Sequence, residues 1–169
     1  MSNASFSVAP AYYTGSEVTP EVTVTHSGKT LVKDRDFIVT YHNNIEPSSY
    51  YNSPWVGIDG IGNYQGYVTK SFTINRADIS SCTVTLSDES LTYTGSSLRP
   101  TVTVKSGDKE LTLNQDYYVS YRNNWDAGTA SVIVNGSGNY TGSVTKDFQI
   151  VPALSLIHIS EPTRLQLIS

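Results

Sequence analysis

Apolar side chains recur at every second position along several stretches of this chain. Ala4, Phe6 and Val8 share one parity, and 78 residues later so do Cys82, Val84 and Leu86. Phe37, Val39 and Tyr41 are matched 80 residues on by Tyr117, Val119 and Tyr121. A period of two turns one face of a strand toward a core and the other toward water, so each stretch predicts a half-buried β-strand. Val22 and Val24 lead into a Ser/Gly turn at 26–28 and Val102 and Val104 into one at 106–108, each followed by a returning strand. That spacing predicts a hairpin. Asn43-Asn44 and Asn123-Asn124 end the clearest strands, because asparagine tolerates left-handed backbone and builds side-chain turns. No stretch carries a helical period.

The alternation occurs in two copies. Gly60-Ile-Gly-Asn-Tyr-Gln-Gly-Tyr-Val-Thr-Lys-Ser-Phe-Thr-Ile74 and Gly136-Ser-Gly-Asn-Tyr-Thr-Gly-Ser-Val-Thr-Lys-Asp-Phe-Gln-Ile150 are identical at 10 of 15 positions. Self-similarity of this kind marks tandem modules, placed here at 1–75 and 76–153. The register slips by four residues between Glu46 and Gly60, so the first copy carries an insertion that the compact Asp126–Gly136 stretch lacks. Asn75-Arg-Ala-Asp78 is all that joins the copies, which favours a semi-rigid rod over beads on a flexible string. The first copy is in register from Met1, as expected of a start assigned inside a longer reading frame. At the other end, Leu154-Ser-Leu-Ile-His-Ile-Ser-Glu-Pro-Thr-Arg164 has no counterpart in the repeat and matches a translated transposase-type sequencing adapter residue for residue. Residues 154–169 are therefore read as a non-native or disordered tail.

Composition narrows the function classes. Eleven Lys and Arg stand against 15 Asp and Glu, a net charge of −4, which argues against a nucleic-acid backbone binder with its clustered basic face. No uninterrupted apolar run is long enough to span a bilayer, so no membrane insertion is expected. The single cysteine excludes an internal disulfide and leaves stability to the apolar cores.

Tyr-Thr-Gly-Ser at 13–16 and 93–96, Pro-x-Val-Thr-Val from Pro20 and Pro100, Asp116-Tyr-Tyr-Val-Ser-Tyr-Arg-Asn-Asn124, Ala127-Gly-Thr-Ala130, Gly-Asn-Tyr and a closing Phe-x-Ile form an ordered signature. It resembles the bacterial Ig-like repeats, of the YDG and MBG kind, found in cell-surface and secreted proteins. The resemblance covers about 1–152; in the first copy Ala-Gly-Thr-Ala is replaced by Pro47-Ser-Ser-Tyr50 and the insertion. It implies an all-β fold of two tandem small Ig-like antiparallel β-sandwich modules, acting as stalk or spacer, extracellular or cell wall-attached. Partners would be neighbouring repeats or domains of a larger surface protein. About seven short strands per copy independently suggest a sandwich. β-grasp-like modules, the alternative, would need a helix of ten or so residues.

Candidate chemistry is sparse. Cys82 shares the core parity of its strand and reads as a small core residue. His26 and His42 sit beside turns without a second ligand at metal spacing, and His158 lies in the tail, so neither a metal nor a cofactor is expected. With no Ser/His/Asp or Cys/His set, no enzyme activity is expected either. Asp34-Arg-Asp36 suggests calcium ligands less well than turn carboxylates that accept local backbone N–H groups, since the second copy keeps only Asp116. Lys70 and Lys146 share parity with core residues, which points to snorkelling at a strand end or to an isopeptide bond with a buried Asn or Asp. Aromatics at outward positions make the best ligand site. Trp55 and Tyr67 align with Ser131 and Ser143, and Tyr50 and Tyr51 lie in the insertion. Such rings stack on sugar faces or anchor protein contacts, which makes a carbohydrate- or protein-binding module, with a host glycan or protein as partner, the second expectation. Trp55 is also placed to cover a gap where Gly57 replaces Ile133, and Trp125 to clamp its own loop. Gly62-Asn-Tyr64 and Gly138-Asn-Tyr140 are read as corners pinned by their tyrosines.

Overall fold

The alternating stretches are strands in the computed structural model, which describes residues 4–154. The suspected adapter tail beyond Leu154, with His158, lies outside the described residues. In the first module β1 (Ala4–Val8) exposes Ser5 and Ser7 and turns Ala4, Phe6 and Val8 inward. After β2 (Ala11–Tyr12), β3 (Val22–His26) pairs antiparallel with β1, Phe6 opposite Val24. Ser27 and Gly28, both at positive φ (50° and 79°), return the chain into β4 (Lys29–Thr30). Two positive φ values match the twist of the flanking strands, which is why this hairpin closes in two residues. A second antiparallel sheet holds β5 (Phe37–His42), β6 (Trp55–Gly60) and β7 (Tyr67–Ser71) in that order. Finally β8 (Ile74–Asn75) runs parallel to β2.

The second module repeats the plan. β9 (Ala77–Asp78) and a single 3-10 turn (Ile79–Ser81) lead to β10 (Thr83–Leu86), β11 (Ser90–Thr92), β12 (Val102–Ser106), β13 (Lys109–Glu110) and β14 (Tyr117–Arg122). β15 (Gly128–Gly136), β16 (Tyr140–Thr141) and β17 (Ser143–Val151) complete it. Its sheets are β10-β12-β13 and β11-β17-β15-β14, with β11 parallel to the end of β17. The fold is all-β, and no α-helix occurs among the described residues, the element that β-grasp-like modules require. It departs from a purely antiparallel plan in the short parallel pairs β2–β8, β11–β17 and β9–β16.

Buried side chains from both sheets of each module, such as Val24, Phe37, Ile58 and Ile74 or Val104, Tyr117 and Val134, belong to one apolar cluster. Hydrogen bonds tie the layers together: Tyr41 Oη donates to the Pro20 carbonyl and Tyr121 Oη to that of Pro100, each at 2.8 Å. Asn43 and Asn123 adopt positive φ (55° and 54°) as expected of strand terminators. Asn44 and Asn124 behind them are buried, and each exchanges hydrogen bonds with the backbone of Val18 or Leu98.

The insertion changes one edge. β15 continues for nine residues, whereas β6 starts only after the buried Pro54 and has six. Ser48 takes the vacated place: its N–H donates to Ile74 O and its Oγ accepts from Ile74 N, both at 2.9 Å.

Asp36 and Asp116 act as turn carboxylates, accepting the Val32 and Thr112 N–H groups at 2.9 Å. In the first module the Arg35 guanidinium adds an ion pair at 2.8 Å. That hydrogen bond, with the Val32 N–H behind it, holds the Asp36 carboxyl at about 2, below its ordinary 3.8. A depressed carboxylate contributes stability above the unfolded value and loses it as the folded value is approached. Urea midpoints are therefore expected to fall as pH drops from about 4 toward about 2. Arg35→Leu should flatten that fall, and a pH series with identical slopes for both proteins would refute it.

Candidate functional site

Alternate residues of β5, β6 and β7 share the outer face of the first module's second sheet. Their register sets three rows across it: Ile38, Asp59 and Tyr67; Thr40, Gly57 and Thr69; His42, Trp55 and Ser71. Phe37, Val56 and Ile58 on the inner face are fully buried, so the layout of the outer face is held from below.

Two aromatic features occupy this face. The His42 and Trp55 rings stack with centroids 3.9 Å apart and planes within 12°. Tyr67 leans from its own row across the middle one. A methyl group added at Gly57 would lie 2.5 Å from Tyr67 Oη, 2.9 Å from its Cε2 and 2.7 Å from Thr40 Oγ1. The tyrosine thus lies along the sheet over Gly57, and 59% of it stays exposed. This corrects one expectation: Tyr67, rather than Trp55, covers the space left by the glycine. From the sequence His42 reads only as a histidine beside a turn, although its outward parity on β5 and its register opposite Trp55 place it on this face.

Tyr50 and Tyr51 stand apart from this arrangement. They are both 94% exposed and meet edge to face at 5.1 Å. Among the described residues their ring contact is with each other, not with Trp55 or Tyr67. Asn52 anchors their loop through its Nδ2, which donates to Glu46 O at 2.7 Å. The equivalent face of the second module has rows Tyr118, Asn135, Ser143; Ser120, Ile133, Thr145; Arg122, Ser131, Asp147. Only Tyr118 is aromatic there, and Ser131 Oγ hydrogen-bonds Asp147 at 2.7 Å.

Lys70 and Lys146 sit opposite the buried Val56 and Val132, as their parity requires, yet both side chains are exposed. β17 pairs with β11 only over Gln149–Val151, so Lys146 lies where that flank of the strand is open. This exposure suits snorkelling. An isopeptide bond would need a desolvated pair, and neither amine has that setting. Cys82 is half-buried against the apolar cluster, and burial raises its thiol pKa, the opposite of what activates a nucleophile. Trp125 is 60% exposed. His26 lies edge-on to Tyr64 at 5.7 Å, and no His/Cys/Asp/Glu group that could hold a metal occurs among the described residues.

The junction is the other constructed feature. Tyr13 of the first module and Tyr140 of the second meet edge to face, centroids 5.7 Å apart at 89°, and both are buried. β9 runs beside β16, with Ala77 N–H donating to Asn139 O at 3.0 Å. Asn139 Nδ2 donates in turn to the Glu46 carboxylate at 2.6 Å, and Ile79 is fully buried. Burial raises the Tyr140 phenol pKa. Here the ring of the corner tyrosine packs against the neighbouring module.

No family model, curated protein or solved structure matches the chain.

Proposed function

We propose that the chain is a pair of tandem Ig-like β modules serving as a non-catalytic structural spacer in an extracellular or cell-wall-attached protein. One observation carries this reading. The connection between the copies is a bonded contact: a buried tyrosine pair and a carboxylate–amide hydrogen bond cross between the modules, and the strand that follows the link, β9, is fixed beside β16. Such a junction transmits orientation from module to module, as a stalk requires. The resemblance of the repeat signature to bacterial surface repeats supplies the location. Backbone ¹⁵N relaxation tests the reading. Both modules should report one common tumbling, whereas independent correlation times would remove the spacer role.

A second reading, a carbohydrate- or protein-binding surface, is favoured by the Tyr67 ring lying over Gly57 beside the His42–Trp55 stack. A flat aromatic surface flanked by threonine hydroxyls suits the apolar face of a sugar ring better than a deep pocket would. Binding to a glycan array or mucin is expected to weaken in Trp55→Ala and Tyr67→Ala. It should weaken as well in Gly57→Ile, which installs the second module's residue and displaces Tyr67. Tyr50→Ala should leave it unchanged. Absence of binding by the unmodified protein would dismiss this reading and leave the spacer.

A further inference from the structure

The junction uses one end of each module, and the same residue types recur at the two ends that it leaves uncovered. The first module presents Tyr13, Gly15 and Glu46 to the second. Eighty residues later the second module carries Tyr93, Gly95 and Asp126. Tyr13 is 8% exposed and Tyr93 is 38% exposed. Their local sequences are alike, Tyr-Thr-Gly-Ser in both, and each backbone N–H donates to the closing strand at 2.8 Å (Asn75 O or Val151 O). What differs is whether a module stands against the ring.

The receiving side is duplicated as well. Asn139, Tyr140 and Lys109 meet the first module: Asn139 through Glu46, Tyr140 through Tyr13, and Lys109 with its Nζ 3.7 Å from where a Gly15 side chain would begin. In the first module the counterparts are Asn63, Tyr64 and Lys29, with Asn63 and Lys29 exposed and Tyr64 half-buried. The last described strand also ends as β8 does. Asn75, Arg76 and Ala77 pass into the pairing with β16, and Val151, Pro152 and Ala153 occupy the same places, all exposed.

We propose that the Tyr93 end of one molecule docks on the Tyr64 end of a second copy of this chain, repeating the internal junction between molecules. The Tyr93 ring meets Tyr64 edge-on as Tyr13 meets Tyr140. The Asp126 carboxylate accepts from the Asn63 amide as Glu46 does from Asn139. Gly95 leaves room for Lys29. The contact joins unlike surfaces, so it is heterologous. Each added copy exposes a fresh Tyr93 end, and growth stays open unless the rotation closes a ring. Aspartate is one methylene shorter than glutamate and no covalent link holds the partners, so association is weaker than the internal contact. This inference extends the spacer reading to a second molecule, and its failure would leave the internal junction, measured by relaxation, untouched.

Sedimentation velocity on the full chain, from micromolar to millimolar concentration, tests it. Weight-average sedimentation should rise with concentration. Tyr93→Arg blocks one end and Asn63→Arg the other; both replace surface side chains, and an unchanged melting curve certifies the fold. Each variant alone should remain monomeric. Their equimolar mixture should form a dimer and nothing larger, because one competent end of each kind remains. A constant monomer for the unmodified chain, association that survives in either single variant, or a mixture that stays monomeric would each overturn the proposal.

Discussion

Tyr140→Ala should lower the unfolding free energy of the second module by about 3–5 kcal/mol, the usual cost of deleting a buried aromatic side chain. The ring is 2% exposed, stands edge-on to Tyr13 and belongs to β16, the strand that receives β9. Its removal opens a cavity shared by two modules, so the Tyr13 side loses a partner as well. The chain has two tryptophans, Trp55 in the first module and Trp125 in the second, and each reports on its own module. Trp55→Phe and Trp125→Phe backgrounds allow urea unfolding to be followed one module at a time. In the unmodified protein the two transitions should coincide. In Tyr140→Ala the Trp125 transition should move to lower urea and separate from that of Trp55. Tyr140→Phe keeps the ring and gives up only the hydroxyl, for a loss of about 1 kcal/mol. Coincident, unshifted transitions in Tyr140→Ala would show that the ring contact does not couple the modules.

Gly136→Ala is the second large effect. A Cβ at this position would lie 2.7 Å from Thr141 N, 2.8 Å from Thr141 O and 2.9 Å from its carbonyl carbon. Those are backbone atoms of the same tight corner, which Gly136 N–H closes by donating to Gly142 O at 2.9 Å. No side chain can swing away to make room, so the corner itself must shift, at a cost of about 1–3 kcal/mol. In the first module Gly60 faces Gln65 N and Tyr64 C at 3.0 Å, a slightly looser fit. The expected order of thermal destabilisation is therefore Gly136→Ala above Gly60→Ala. Equal melting temperatures for Gly136→Ala and the parent would mean that the corner yields freely.

These two positions also mark how far the residues could be read without coordinates. The recurring Gly-x-Gly-Asn-Tyr identified a corner, because glycine at a fixed spacing is informative about backbone. Strands such as Phe37–His42 were legible because six residues give the alternation room to show. Ala11–Tyr12 and Ser90–Thr92 carry too few residues for any period, so the parallel pairs that they make stayed hidden. Burial at the junction was hidden for another reason. Tyr13 and Tyr93 each open the same Tyr-Thr-Gly-Ser stretch, and the adjoining module covers only the first. On the sheet face, parity placed Trp55 and Tyr67 correctly outward but could not show that Tyr67 leans diagonally across Gly57. Parity likewise put Lys70 and Lys146 on the inner face. It carries no information about where a sheet edge opens, and that opening is what leaves both exposed.

The parallel pairing of β2 with β8 bears on how a module responds to tension. A pull applied through the start of β2 and the end of β8 draws two parallel strands in opposite directions along their common axis. The bonds from Ala11 N–H to Thr73 O and from Tyr13 N–H to Asn75 O, at 3.1 and 2.8 Å, are then strained together instead of one after the other. The second module meets the same load through Tyr93 N–H to Val151 O and Gln149 N–H to Glu89 O. Unzipping breaks a ladder rung by rung, whereas shear demands that its rungs fail at once. Each module therefore carries a shear-loaded clamp on its closing strand, reached once tension has passed β1 or β10, and the resistance of that clamp is set by its unfolding rate more than by equilibrium stability.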